Sequence, residues 1–220
     1  MFNILIILYY IVIIDSNIEK TFTLWENIMG IVNFEISAEP LTKKNFAPFG
    51  DILEPNENRI DNRDFLKLGY ANMSDEVPNE RIEKFDVLDY WGQIANISQE
   101  PMRFGYLRPK ERPLEVSWLE RHVKGTQTFI PIGGNNSIIT VGKANDNSIP
   151  DALPNLQTIK AFLLQGDKGI NLHPGTWHWT PFPLNSISDF IILVRTNVKD
   201  DDLNFVDLEK RLNKKIIIKT

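Results

Sequence analysis

The chain has 220 residues, 42% of them hydrophobic, which is enough to bury one full core and fits one domain better than two independent ones. A formal net charge of -5 excludes the dense Lys and Arg surface that phosphate binding requires, so nucleic acid is not an expected partner. The absence of cysteine excludes disulfides, thiolate metal sites and a cysteine nucleophile.

Phe2 to Ile14 form an apolar run shorter than the roughly 20 residues of a spanning helix. It lacks the basic residues that precede a secretory signal, and Asp15-Ser16-Asn17 is a poor cleavage context. Met29 offers a second start. Residues 1–28 therefore read as an apolar extension, with three readings open: an upstream extension without function, a signal or interfacial anchor, or a buried element. Residues 29–220 read as one domain. Thr42 N-caps a short helix ended by Pro48 and Gly50. Residues 55–80 are polar and punctuated by Pro55, Gly69 and Pro78, as loops around a short strand are, and 81–91 suit a second helix. From Pro101 onward the pattern turns β-rich, with runs at 103–108, 114–119, 127–132, 137–142, 158–164 and 188–195 separated by Gly, Pro, Asn and Asp. Many short strands with turn signals imply an antiparallel sandwich or barrel. Asn145 to Asn155 reads as a surface loop and Asp200 to Lys215 as a charged terminal helix.

The chemistry concentrates in two segments, because all three histidines of the chain are His122, His173 and His178. Imidazole is the side chain best suited to move protons near neutral pH or to ligate a metal. Glu120 and His122 are two apart, so on a strand they share a face and can converge on one atom. Gln127 stands at the entrance of a mostly apolar strand, where its amide needs a partner. Pro174-Gly175 suits the centre of a type II turn and is expected to join 169–173 to 176–180 as a hairpin. Strand alternation would then put Asn171, His173, Thr176 and His178 on one polar face, with Ile170, Leu172, Trp177 and Trp179 on the apolar one. Arg108 and Arg195 are candidates to grip a substrate carboxylate as a bidentate fork.

These residues carry a resemblance. Cupin barrels use a first motif of G-x5-H-x-H-x3,4-E-x6-G and a second ending in P-x-G-x-x-H. Aligning His122 with the second histidine puts Glu120 at the first, Gln127 at the glutamate and Gly134 at the closing glycine. Gly175-Thr176-Trp177-His178 matches the second motif. Within cupins, Leu119-Glu120-Arg121-His122, Gly125 to Pro131, Gly169-Ile170-Asn171, Trp177-His178, Asp189-Phe190 and Arg195 resemble the ureidoglycolate lyase family, as does the opening Pro40-Leu41-Thr42 with Phe46 to Asp51. The chain departs from that family at Trp179, where a second histidine is usual, at Leu68-Gly69-Tyr70-Ala71, at Val123-Lys124 and at His173-Pro174.

The resemblance implies an all-β, cupin-type jelly-roll barrel with a few peripheral helices, acting as a cytoplasmic homodimer in purine and allantoin breakdown. The implied activity is cleavage of ureidoglycolate to glyoxylate and urea. The implied catalytic set is Glu120, His122, Gln127 and His178, with Asn171, His173, Arg108 and Arg195 binding substrate. A divalent metal, nickel by resemblance, would sit on Glu120, His122 and His178. The competing expectations are a cupin that binds a small hydroxy or keto acid without turning it over, and a cupin enzyme of other chemistry.

Overall fold

A computed structural model of the protein describes residues 30–55, 98 and 100–220. The extension 1–28, the helix expected over 81–91, Leu68 to Ala71, and the loops expected over 55–80 (Pro55 apart) lie outside the described residues.

The fold is the expected all-β jelly roll, built from two facing sheets. Their strands are β1 (Val32–Pro40), β2 (Gly50–Leu53), β3 (Met102–Leu107), β4 (Glu115–Val116), β5 (Trp118–Arg121), β6 (Gln127–Ile132), β7 (Gly134–Gly142), β8 (Lys160–Gly166), β9 (Gly169–Leu172), β10 (Trp177–Pro183), β11 (Asp189–Arg195), β12 (Asn204–Asp207) and β13 (Lys214–Lys219). One sheet has eight strands in the order β12-β5-β10-β7-β8-β1-β13-β4, the other five in the order β2-β9-β6-β11-β3. Between them lies a core of Phe129, Ile170, Leu172 and Phe190 from the smaller sheet against Ile139, Val141, Phe162 and Leu164 from the larger. Phe46 and Phe49 close it with edge-on and tilted ring contacts to each other and to Phe162. A second core covers the other face of the larger sheet, around Leu119, Ile138, Trp177, Phe182, Val206 and Ile216. The alternation of β7 feeds both cores, Ile138 outward and Ile139 inward, as a strand with two buried faces must.

The six expected runs all appear as strand, with β6 at its expected bounds. The Thr42 cap also forms, as a capping box in which Asn45 N–H donates to Thr42 Oγ1 and Thr42 N–H donates to Asn45 Oδ1. Three elements differ. β1 was not among the expected strands, and it pairs in parallel with β13 and then β8 rather than antiparallel. The terminal helix expected over Asp200 to Lys215 is instead two short helices, Val198–Asp201 and Leu208–Leu212, alternating with β12 and β13. Asp207 N-caps the second of these by accepting the Lys210 N–H, and Asn213 ends it in the left-handed region at φ 50°. A continuous helix is incompatible with both signals.

The third difference moves the site. Pro174-Gly175 does make the turn, with Thr176 N–H donating to His173 O at 3.1 Å and Gly175 at φ 85°. It does not close a hairpin: β9 belongs to the small sheet and β10 to the large one, so the turn crosses between sheets. A type II turn splays its flanking strands, which suits a crossing and not a hairpin. Gly175 is also packed so closely that a Cβ would lie 2.2 Å from Asn147 Oδ1, and its N–H donates to His122 O at 2.6 Å. Gly175→Ala is accordingly expected to lower stability by about 1–2 kcal/mol from the left-handed backbone alone, read as a fall in the denaturant midpoint. An unchanged midpoint would mean that the turn relaxes freely.

Candidate functional site

β5 delivers Glu120 and ends at Arg121, leaving His122 at the start of the following loop. In register, His178 of β10 faces Glu120 on one side and Val141 of β7 on the other. Register partners share a face, and Val141 points into the core between the sheets, so Glu120 and His178 point there too. Gln127 pairs with the inward Leu172 and lies two residues from inward Phe129, whose ring meets His178 edge-on at 6.2 Å. His122, His178 and Gln127 are all under 10% exposed, while Glu120 is half-buried.

The rings of His122 and His178 lie 5.4 Å apart, and one ligand atom from each of Glu120, His122 and His178 falls within 4.8 Å of the other two. Each imidazole is fixed by its Nδ1: His122 Nδ1 is 3.1 Å from Asp202 O, and His178 Nδ1 is 3.0 Å from Thr176 O. A main-chain carbonyl only accepts, so both Nδ1 atoms carry the hydrogen and both Nε2 atoms are directed to the site. On His178 this produces a conflict. Its Nε2 lies 3.3 Å from Glu120 Oε1 without hydrogen-bond alignment, so a neutral ring would set a lone pair against a carboxylate. A cation between them, either a proton on Nε2 or a metal, resolves it. Gln127 Oε1 is likewise buried without a partner.

Two neutral imidazole nitrogens and a carboxylate form a donor set suited to first-row divalent metals, and Nδ1–H bonds to carbonyls are the outer contacts such histidines use. The residues present fit a metal. Burial, reinforced by His178, holds the His122 pKa below its ordinary value against the opposing pull of Glu120 and Asp202. Burial works to raise the Glu120 carboxyl, but His178 and His122 outweigh it and leave its pKa below the usual carboxylate value. In both cases the folded state binds the proton less readily than the unfolded chain, so both contributions to stability are present above the ordinary pKa and are lost as pH falls. Unfolding free energy measured from about pH 8 to about pH 5, across the ordinary imidazole value of about 6.5, is expected to fall. His122→Gln should flatten the upper part of that fall. An equally steep fall in the variant would remove His122 as its source.

The structure does not bring the other expected site residues to this cluster. Asn171 pairs with Thr128 and Asp51 on the opposite face of the small sheet, where Thr128 Oγ1 donates to Asn171 Oδ1 at 2.7 Å. His173 sits partly exposed, its Nε2 3.1 Å from Asp51 Oδ2. The expected common face of Asn171, His173, Thr176 and His178 therefore does not exist, because the turn between them changes sheets. Arg195 shares the outward parity of β11 and is buried, with Nη1 donating to Glu100 at 2.6 Å, Nη2 donating to Asp201, and Nε 3.7 Å from Asp202. Arg108 forms a two-pronged pair with Asp189 at 2.6 and 2.7 Å on the surface. Both guanidinium forks are already held by carboxylates. Trp177 is fully buried and Trp179 partly so, both in the outer core, as expected for packing residues. Asp202 was not singled out from the sequence. It stands third in an Asp run that resembles a solvated helix start, and its link to His122 runs through a main-chain carbonyl that no sequence signal marks.

A ureidoglycolate lyase of Burkholderia mallei (strain NCTC 10229) is 33% identical over 161 residues, spanning 73% of this chain and 82% of that protein. One of Salmonella paratyphi B (strain ATCC BAA-1250 / SPB7) is 28% identical over 167 residues, spanning 76% and 91%. Among solved structures, RmlC from Streptococcus suis in complex with dTDP-D-xylose overlaps 79% of this chain and 78% of its own at 11% identity and a TM-score of 0.33. At that overlap it adds nothing to the fold assignment, which rests on strand register. A family model described as ureidoglycolate lyase matches residues 33–215, and the chain belongs to that family.

Proposed function

We propose that this protein is a lyase that cleaves ureidoglycolate into glyoxylate and urea. The observation that carries the reading is the convergence of two Nε2 atoms of fixed tautomer with one carboxylate in the interior of the roll. The substrate bears a hydroxyl and a ureido nitrogen on one carbon beside a carboxylate. Elimination needs a base for the hydroxyl proton and an acid for the departing nitrogen, and it consumes no water. His122, held neutral by burial, presents a bare Nε2 and takes the hydroxyl proton. The oxygen electrons form the glyoxylate carbonyl as the C–N bond breaks. His178, whose Nε2 lies 3.3 Å from the Glu120 carboxylate, gives a proton to the leaving nitrogen. One proton is taken and one is given, so products balance substrate and proton exchange between the rings or with solvent resets the pair. The unpartnered Gln127 Oε1 accepts a ureido N–H. The same three side chains fit a divalent metal, nickel by family resemblance; held there it would occupy both Nε2 lone pairs in place of the proton transfers and would supply Lewis-acid polarisation of the substrate hydroxyl instead. Neither Arg195 nor Arg108 is assigned to the substrate carboxylate, since both are already paired.

The test is to mix purified protein with ureidoglycolate, with and without added nickel, and trap the glyoxylate. Release above the uncatalysed rate is expected. Tight substrate binding without release would replace the lyase with a binding protein for a small hydroxy acid. Family membership also supports a homodimer acting in the cytoplasm in purine and allantoin breakdown; among the described residues no helix is long and apolar enough to cross a membrane.

A chain beginning at Met29 is expected to fold and keep its turnover, because the family match begins at residue 33 and the site residues start at Glu120. Insolubility of that shorter chain would assign residues 1–28 to the core.

A further inference from the structure

We infer that Asp202 is a positioning residue for His122, fixing both the path of the main chain after β5 and the tautomer of the ring. The inference rests on the reading of His122 as the base, and it adds a residue that touches no substrate. β5 stops at Arg121 because the next N–H groups turn to a side chain: Asp202 Oδ1 accepts Val123 N–H at 2.6 Å and Lys124 N–H at 3.0 Å, and Oδ2 lies 3.1 Å from the same Lys124 nitrogen. The carboxylate is 1% exposed, a burial tolerated only when a charge is hydrogen-bonded and paired. The two main-chain donors and Arg195 Nε at 3.7 Å meet that condition.

The main-chain carbonyl of the same residue accepts the Nδ1–H of His122 at 3.1 Å. One residue therefore holds His122 from two directions, through the segment that follows it and through its ring. Its own position is fixed in turn, since Asp202 N–H donates to Val198 O at 3.1 Å and closes the helix Val198–Asp201. Arg195 and Lys124 both reach Asp201 beside it. Arg195 thus serves this anchor, which explains why a buried guanidinium on β11 is directed at carboxylates. Removing the Asp202 carboxylate leaves the part-buried Val123 and Lys124 N–H groups without their acceptor; the loop shifts to hydrate them, and the His122 ring loses the register that keeps hydrogen on Nδ1.

Ring-nitrogen NMR on the full chain labelled with 15N-histidine reads this directly, because only three histidines contribute signals. Spectra are taken above the ordinary imidazole pKa of about 6.5, and His122 is assigned by the signals that vanish in His122→Ala. The wild type is expected to show His122 with hydrogen on Nδ1. Asp202→Ala should average the His122 pattern between tautomers and leave His178 unchanged. It should also weaken Ni2+ binding and lower kcat by about 10–100-fold, the usual effect of losing an outer contact to such a histidine, with KM little altered. Asp202→Asn keeps one oxygen acceptor and should shift His122 part of the way in the same direction. If Asp202→Ala does not fold, Asp202→Asn carries the test. A wild-type His122 pattern in whichever variant is folded would overturn the inference. The NMR readout is independent of turnover: a wild type that releases no glyoxylate but shows the His122 shift in the variants would refute the lyase and leave this inference standing.

Discussion

His122→Ala and His178→Ala are each expected to lower glyoxylate release by about 10²–10⁴-fold, the range supplied by one positioned acid or base. The two rings are not interchangeable. His122 presents Nε2 from a ring held neutral by burial, so its loss removes the acceptor of the hydroxyl proton. His178 faces Glu120 at 3.3 Å, so its loss removes the donor to the leaving nitrogen and leaves a half-buried carboxylate without its partner. His178→Asn keeps a polar group of similar reach but cannot carry the proton, and should be nearly as poor as Ala. Both rings are buried, and His178 packs edge-on against Phe129, so retention of the folded state is measured beside turnover in each variant. Because the two act on one bond, the double variant should be little worse than either single one. Unchanged release in both single variants, with glyoxylate measured directly, would reject the catalytic assignment and leave the binding protein as the better reading.

Local pattern made much of this legible. The nearness of Glu120 and His122, the amide of Gln127 at a strand entrance, and the turn chemistry of Pro174-Gly175 each have a physical cause within a few residues and appear in the structure, although β5 ends at Arg121 and His122 reaches the site from the loop that follows. β1 also carries a local signal: Phe34, Ile36 and Ala38 alternate with polar residues and pack on the outer core. The destination of a turn is another matter. Whether Pro174-Gly175 closes a hairpin or crosses between sheets depends on which strands are already paired, and β9 finds partners in β2 and β6 instead of β10. That non-local choice reverses the parity of Asn171 relative to His178 and takes His173 out to Asp51.

The partners of the two arginines are not legible for a related reason. A bidentate fork fits a substrate carboxylate and a protein carboxylate equally well, and the sequence does not say which arrives. Glu100 reaches Arg195 across 95 residues and Asp189 reaches Arg108 across 81, while Asp201, six residues from Arg195, is brought to it by the short helix Val198–Asp201. Asp202 was harder still, since a contact made by a main-chain carbonyl leaves no residue-type signature.

Glu120→Gln should cost about 10²–10³-fold in kcat, comparable to removing one preorganised charge-stabilising group from a water-poor site. The substitution preserves shape and strand register, so β5 should keep its pairings with β10 and β12. What it removes is the negative charge 3.3 Å from His178 Nε2. With the carboxylate present, a proton on that nitrogen has a counter-charge in surroundings where His178 is 1% exposed. With an amide there, the ring loses the carboxylate it faces during proton transfer to the leaving nitrogen. Ni2+ affinity should also fall, since the donor set loses its anionic member. Glu120→Asp restores charge but shortens the reach, and should recover part of the rate where Gln recovers none. That ordering separates the assigned role from a solvated strand-end charge: a side chain that merely met water would lose little in either variant, whereas a counter-charge for His178 must make Asp better than Gln.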